Sequence, residues 1–203
     1  MSNEHLQKNR GGYPSPFLPA QHHLETEIGK TRRSKVRRKA SNANSQLAGK
    51  SVRTSRTEMT EVVLPQDANV FGNILGGRVM HLVDIAAAIT AHRHCRSMAV
   101  TASVDHIDFR NPIRVGEVIN LKASLNRAFH TSMEIGVKVF SEDILTGEKK
   151  HTTSAYVTFV ALDENRQPKP VPPVICETSE DRRRYREALV RRKYRLAHRA
   201  IKP

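Results

Sequence analysis

Apolar residues recur at helical spacing from Ile74 to about Ala91, and this stretch is the clearest pattern in the chain. The predicted helix is apolar on every side, yet it carries one acid, Asp84. A helix that is apolar all round is expected to lie inside a protein. Because a buried carboxylate is costly unless it is paired or used, Asp84 is the first candidate for chemistry.

Strand patterns lie on both sides of this helix. Apolar and polar residues alternate, or nearly so, over 57–64, 100–109, 119–126, 133–139 and 152–162. Short turns join the later strands, and such turns imply antiparallel neighbours. The chain is therefore predicted to be α+β, with one long buried helix and an antiparallel sheet of about five strands. So thin a core would gain stability by pairing with a second copy.

The charge is distributed unevenly. Residues 1–55 hold 11 Lys and Arg against 3 acids, residues 56–176 hold 13 of each, and residues 177–203 hold 10 against 4. This division predicts a basic and mostly disordered extension, a neutral folded domain and a basic C-terminal helix. Prolines at 168–173 predict an extended linker before that helix, which begins near Thr178.

The segment before the long helix is rich in loop-forming residues and ends in the pair Gly76-Gly77. Unpaired N–H groups and the positive end of the dipole lie at a helix N-terminus. Because glycines have no side chain, a carbonyl oxygen could approach these N–H groups and find an oxyanion site there. The alternative is that both glycines only permit a tight turn or close packing.

Several motifs occur in order from Asp67 onward. They are Asp-Ala-Asn followed by Gly-Asn at 67–73, Gly-Gly at 76–77, the helix around Asp84, Ala-His-Arg-His-Cys at 91–95, and Asp-His-Ile-Asp-Phe-Arg-Asn-Pro-Ile at 105–113. In this order, over roughly Thr57 to Pro172, the chain resembles the acyl-CoA thioesterases of the hotdog fold, in particular the acyl-CoA hydrolase group.

The resemblance implies a helix wrapped by a curved antiparallel sheet, assembly as a homodimer or as a hexamer made of three dimers, and hydrolysis of acyl-CoA without a further cofactor. It implies that Asp84 acts as general base or nucleophile, that Asn69 orients the water or the thioester, and that Thr101 faces the reacting carbon. The residues that it suggests for holding CoA lie at strand ends and are Arg110, Asn111, His130, Thr131 and Ser132. Each of these is also an ordinary turn residue.

The spacing of Gly77 and Asp84 bears on where the site is built. Seven residues are about two helical turns, so both lie on one face but about 10 Å apart. Asp84 is therefore too far from its own Gly77 to hold a water against a carbonyl bound there. If two helices run antiparallel across a dimer, Asp84 of one copy can meet Gly77 and Asn69 of the other.

Other functions are weighed against this one. The runner-up is a non-catalytic acyl-CoA sensor whose basic tails, 30–39 and 182–195, bind nucleic acid. The alternative is that these tails are only a solvated charged extension and a surface helix. An enoyl-CoA hydratase would require an Asp-His pair near the helix start, where no His precedes His81.

No metal site is predicted, since the side chains of His92 and His94 diverge on a helix. With no apolar run long enough to span a membrane and no secretory signal, a cytoplasmic location is expected; a transit peptide within 1–55 stays open.

Overall fold

The computed structural model describes residues 47–105 and 107–199, and for Arg199 its backbone only. Most of the predicted basic extension therefore lies outside the described residues. Residues 50–55, which the composition placed in that extension, form a short strand and a 3-10 helix, and Val52 is only 2% exposed. The division of the chain into three parts otherwise stays a prediction.

Seven strands and two long helices make up the described fold. In chain order they are β1 (Lys50–Ser51), β2 (Thr57–Val62), α1 (Gly76–Cys95), β3 (Met98–Val104), β4 (Val118–Ala128), β5 (Ser132–Glu142), β6 (Lys149–Leu162), β7 (Val174–Ile175) and α2 (Ser179–Arg199). Single-turn 3-10 helices span Val52–Ser55 and Pro65–Asp67. The predicted order of strand, helix and four strands is confirmed, whereas the β1–β7 pair was not predicted.

Five strands form one antiparallel sheet in the order β2-β4-β5-β6-β3. Its inner face carries the alternating apolar residues of β4, β5 and β6, and α1 packs against all five strands. The buried centre of the sheet consists of Ile119, Leu121, Ala123, Leu125, Met133, Ile135, Val137, Val139, Ala155, Val157, Phe159 and Ala161. The curled sheet around a helix confirms the predicted fold class.

The third strand is shorter than predicted. It was expected to run from Val100 to Phe109, but it pairs with β6 only over Met98–Val104 and carries a bulge between Thr101 and Ser103. Beyond Val104 the chain leaves the ladder and keeps single backbone bonds to β6. It thereby becomes a loop at the edge of the sheet.

Within the described residues, one face of α1 is exposed, although its sequence is apolar all round. Val79, Leu82, Ala86 and similar residues face the sheet and are buried, whereas Met80 is 47% exposed and Asp84 is half-buried. The helix is thus buried on its sheet side and, within the described residues, open on the face that carries Met80 and Asp84. Met98, Val100 and Val104 of edge strand β3 are also exposed, so apolar surface is shared by α1 and β3.

The proline-rich segment is not a free linker. Val171 is fully buried in the core, its N–H donates to the carbonyl of His130 at 2.9 Å, and the segment continues into β7, which pairs with β1. The ring of buried His94 donates through Nε2 to the carbonyl of Pro172 at 2.9 Å. The segment therefore closes the C-terminal end of α1.

The C-terminal helix begins at Ser179 with acids in its first turn, as predicted, and the structure adds a reciprocal cap. Thr178 Oγ1 accepts from the N–H of Asp181 at 3.0 Å, and the Asp181 carboxylate accepts from the N–H of Thr178 at 3.1 Å. The helix lies on the outer face of the sheet, with Ala188 fully buried and Arg191 bonded to buried Glu134. Four of its arginines pair with carboxylates of this chain, and they are Arg183, Arg184, Arg191 and Arg195.

Candidate active site

The loop before α1 is built around the side chain of Asn69. Its Oδ1 accepts hydrogen bonds from the backbone N–H groups of Phe71 at 2.9 Å and Asn73 at 3.2 Å. Gly72 closes this turn with φ of 74°, a backbone conformation that favours glycine. The amide of Asn69 is thus oriented by the turn, so its Nδ2 is the group that remains to donate to a ligand.

The N-terminus of α1 follows directly after this loop. Leu75 is the N-cap residue and makes no side-chain cap, and its carbonyl accepts from the N–H groups of Arg78 and Val79. A Cβ at Gly77 would meet nothing within 4 Å, whereas one at Gly76 would touch the Phe109 ring at 3.5 Å. The helix therefore begins at two glycines, and the space beside Gly77 is open.

A cavity of about 340 Å³ lies against this helix start. Asn69, Gly76, Phe109, Arg110 and Asn111 are among its lining residues. The loop carrying Arg110 is held to β6, because the Arg110 N–H donates to the carbonyl of Thr152 and Asn111 Nδ2 donates to the carbonyl of His151, both at 3.0 Å. The structure thus brings together four of the predicted site residues: Asn69, Gly76, Arg110 and Asn111.

Asp84 lies elsewhere, on the open face of α1. Thr101 of β3 donates a hydrogen bond from Oγ1 to Asp84 Oδ1 at 2.7 Å. The carboxylate of Asp84 is half-buried, and this bond joins it to β3 beside the exposed apolar residues of that strand. The pairing of Asp84 with Thr101 joins two predicted site residues that are 17 positions apart.

The hairpin His130-Thr131-Ser132 is far from the cavity. Ser132 pairs with Val160 of β6, whereas the cavity loop bonds to Thr152 of the same strand. Eight residues of strand separate these points by about 26 Å. Thr101 pairs with Phe159, so Asp84 and Thr101 lie nearer the hairpin end than the cavity end. Within one chain the predicted site residues therefore lie in two separate groups, one at the cavity and one around Asp84 and the hairpin.

Three further residues belong to the cavity region and were not predicted. Phe109 packs over Gly76, and Thr152 lines the cavity with a buried hydroxyl that has no hydrogen-bond partner in the described part of the chain. Arg78 holds the Asn69 loop to β2 through ion pairs with Asp67 at 3.2 Å and Glu61 at 2.9 Å. Phe109 stands within a motif of the sequence, but Thr152 and Arg78 carry no signal that spacing could reveal.

Residues 47–105 and 107–199 contain no cluster of three His, Cys, Asp or Glu side chains that could hold a metal ion. No helix of this described part is long and apolar enough to cross a bilayer.

The chain is similar to known thioesterases. A model of the thioesterase superfamily matches residues 71–148. A Bacillus subtilis (strain 168) protein described as an uncharacterized acyl-CoA thioester hydrolase is 41% identical over 127 residues, which are 63% of this chain and 74% of that protein. The solved structure of an apo-hexameric acyl-CoA thioesterase is 41% identical with a TM-score of 0.75, and the match covers 77% of this chain and 100% of that chain.

An acyl-CoA hydrolase from Staphylococcus aureus adds information on individual residues. One of its solved structures is 35% identical with a TM-score of 0.72, over 75% of this chain and 94% of that chain. Its solved variants include an Asn, an Asp and a Thr each replaced by Ala, spaced 15 and 17 residues apart, as Asn69, Asp84 and Thr101 are here. By fold and by sequence, the chain belongs to the acyl-CoA thioesterase family of hotdog-fold enzymes.

Proposed function

We propose that this protein hydrolyses acyl-CoA to a free carboxylic acid and CoA, at a site to which two copies of the chain contribute. The observation that carries the proposal is the bond between Thr101 and Asp84 on the uncovered face of α1, two turns away from the cavity at the start of the same helix. The hydrolase names of the relatives support the reaction, and the residue spacing in the Staphylococcus aureus variants supports these residues.

The exposed edge of β3 is the surface on which we expect the second copy. Among the described strands, β3 pairs on one side only, with β6, and its Met98, Val100 and Val104 are about half exposed. A free apolar edge strand favours pairing with another strand. In a two-fold dimer each surface meets its own copy, so two β3 strands would run antiparallel and so would the two α1 helices.

This arrangement would reunite the two groups of residues. Because the partner helix runs the other way, Asp84 and Thr101 of one copy approach Asn69 and Gly77 of the other. The hairpin 130–132 of one copy likewise approaches the loop of Arg110 and Asn111 of the other. Three such dimers could form a hexamer, and the hexameric thioesterase that the chain resembles supports a larger assembly.

The chemistry needs a base and a site for the oxyanion. Asp84 removes a proton from a water molecule, and the water oxygen attacks the thioester carbon. The carbonyl oxygen takes the electron pair and is stabilised by the N–H groups at Gly76 and Gly77 together with Asn69 Nδ2. When the carbonyl reforms, the carbon–sulfur bond breaks and the CoA thiolate leaves, taking up the proton. Thr101 holds the Asp84 carboxylate in position by donating to Oδ1.

Replacement of Asp84 by Asn tests this mechanism. The amide keeps the shape of the side chain but cannot accept the proton, so kcat should fall by roughly 10²–10⁴-fold with the fold retained. Release of free thiol from acyl-CoA substrates of graded chain length measures turnover for the wild type and the variant. Asp143→Asn, in the turn between β5 and β6, changes a carboxylate that accepts from the N–H groups of Leu145 and Thr146 in its own turn, and this matched control should keep full activity. Normal turnover by a folded Asp84→Asn protein would contradict the role of Asp84.

A further inference from the structure

The C-terminal helix contacts the chain at the point where β3 ends. Arg195 Nη1 of α2 lies 2.8 Å from Oδ1 and 2.9 Å from Oδ2 of Asp105, and both side chains are less than one-fifth exposed. Asp105 is the first residue after β3, and its N–H donates to the carbonyl of Tyr156 at 2.9 Å. A charge-assisted bond at a partly buried position is a strong constraint on the backbone that carries it.

Downstream of Asp105 the chain reaches the cavity within a few residues. Phe109 lies over Gly76, and Arg110 and Asn111 line the cavity and are bonded to Thr152 and His151. These bonds hold the far end of residues 107–113. At the near end, Asp105 is held by the Tyr156 carbonyl and by Arg195. The direction in which the loop leaves the sheet therefore depends on a residue from α2.

The helix is itself anchored beside this point. Arg191, one turn before Arg195, donates to buried Glu134 at 2.7 and 3.0 Å, and its guanidinium lies 3.7 Å from the centre of the Tyr156 ring. Arg195 also stands 4.0 Å from the second oxygen of Glu134. Arg195 is thus presented to Asp105 by a helix turn fixed on the outer face of the sheet.

We propose that Arg195 is a positioning residue for CoA binding, which acts by holding Asp105 and thereby setting the loop of Phe109, Arg110 and Asn111. This inference rests on the proposed function, since it assumes that the cavity loop holds part of CoA. Arg195 bonds to Asp105, which precedes the CoA-holding loop, whereas Asp84 bonds to Thr101. Its loss should therefore weaken substrate binding while leaving the chemical step nearly unchanged.

The test compares three single variants of the full chain. Arg195→Ala removes the bond to Asp105. Arg183→Ala removes a guanidinium of the same helix whose partners, Glu180 and Glu187, both lie within α2. Asp181→Ala loosens the opposite end of α2, where the carboxylate caps the helix and pairs with Arg56. The Kd for CoA, the KM and kcat for acyl-CoA, and the melting temperature are measured for each.

We expect Arg195→Ala to raise KM and the Kd for CoA roughly tenfold, as coupling between groups in contact allows, with kcat changed less than about twofold. Arg183→Ala should change neither. The exchange variant Asp105→Arg/Arg195→Asp should recover part of the CoA binding, whereas a role of Arg195 that does not involve Asp105 would predict no recovery.

Two results would overturn the inference. One is an unchanged KM and Kd for folded Arg195→Ala protein, and the other is an equal loss with Asp181→Ala, which would assign the effect to helix docking in general. Failure of the proposed function looks different: the wild type would then release no thiol. The Kd for CoA would in that case still decide the role of Arg195.

Discussion

Gly77 has two candidate roles, close packing at the helix start or an N–H donor to the thioester oxygen. If it only permits packing, its open surroundings should accept a methyl group, and alanine favours a helix over glycine by up to about 1 kcal/mol. If a thioester oxygen must approach its N–H, the same methyl group occupies the space that the substrate needs.

We therefore expect Gly77→Ala to keep or slightly raise the melting temperature while lowering kcat/KM by at least about tenfold, since a lost oxyanion donor can cost more than that. Thermal unfolding and thiol release measured on the same preparation provide the comparison. A variant that is as active as the wild type would assign Gly77 to structure alone.

His94 gives a residue-scale prediction for pH. Burial lowers the pKa of His94 below its ordinary value of 6.5, against the opposing effect of the bond to the Pro172 carbonyl and with a further lowering by Lys50. Because that carbonyl can only accept, the ring carries its proton on Nε2, and Nδ1 is buried without a partner in the described chain.

The unfolded chain takes up a proton at His94 near pH 6.5, whereas the folded protein does so only at lower pH. Unfolding is therefore favoured as pH falls below about 6.5, and the free energy of unfolding should decrease there. Denaturant titrations at pH 7.5 and 5.5 measure this loss, which should be smaller in His94→Gln. His92→Gln, exposed on the same helical turn, should keep the wild-type loss; an identical loss in both variants would exclude His94 as its source.

At the scale of elements, α2 is attached to the sheet mainly through charge. Its sheet side presents Arg191 and Arg195 to Glu134 and Asp105, whereas Leu189 and Leu196 are 36% and 50% exposed. The helix therefore turns arginines, rather than these two leucines, toward the sheet. The buried carboxylate of Glu134 is the physical reason, since it requires a cation and donors.

Glu134→Gln should test how much this attachment contributes. The amide keeps the volume, but it leaves Arg191 beside a neutral group, and the expected loss is about 1–3 kcal/mol in the free energy of unfolding. Glu148→Gln, which removes an exposed partner of Lys150, should change that free energy by less than about 1 kcal/mol. Equal effects in denaturant titrations would show that the Glu134 pair contributes no more than a surface pair.

At the scale of the whole molecule, the proposed site depends on two copies. Asn69→Ala damages the group at the cavity, and Asp84→Asn damages the group on the open helix face. If the site is shared, a mixed dimer holds one doubly damaged site and one intact site. Equal mixing with subunit exchange should then restore about a quarter of the wild-type sites, as two-fold pairing requires.

Thiol release after mixing measures this recovery. Differently tagged copies verify that mixed dimers have formed. Each variant alone, carried through the same exchange, is the control and should stay inactive. No recovery in verified mixed dimers would place the whole site within one chain.

Much of this protein could be predicted from local patterns. Alternation along β4 and β5 identified their inner faces, because each strand buries one side, and helical spacing located α1 within a few residues of its ends. The capping residues at Thr178 and Asp181 likewise predicted the start of α2. These features depend on neighbours within a few positions along the chain.

Tertiary structure alone decided the features that join distant parts of the chain. The bond of Thr101 to Asp84, the burial of Val171 in a segment that its prolines suggested was a linker, and the pairing of Arg195 with Asp105, 90 positions away, each depend on where the sheet brings the residues. Periodicity shows which side of an element is buried but does not name the element that covers it. For the same reason the sequence predicted a buried α1 but not that, within the described residues, one of its faces is open.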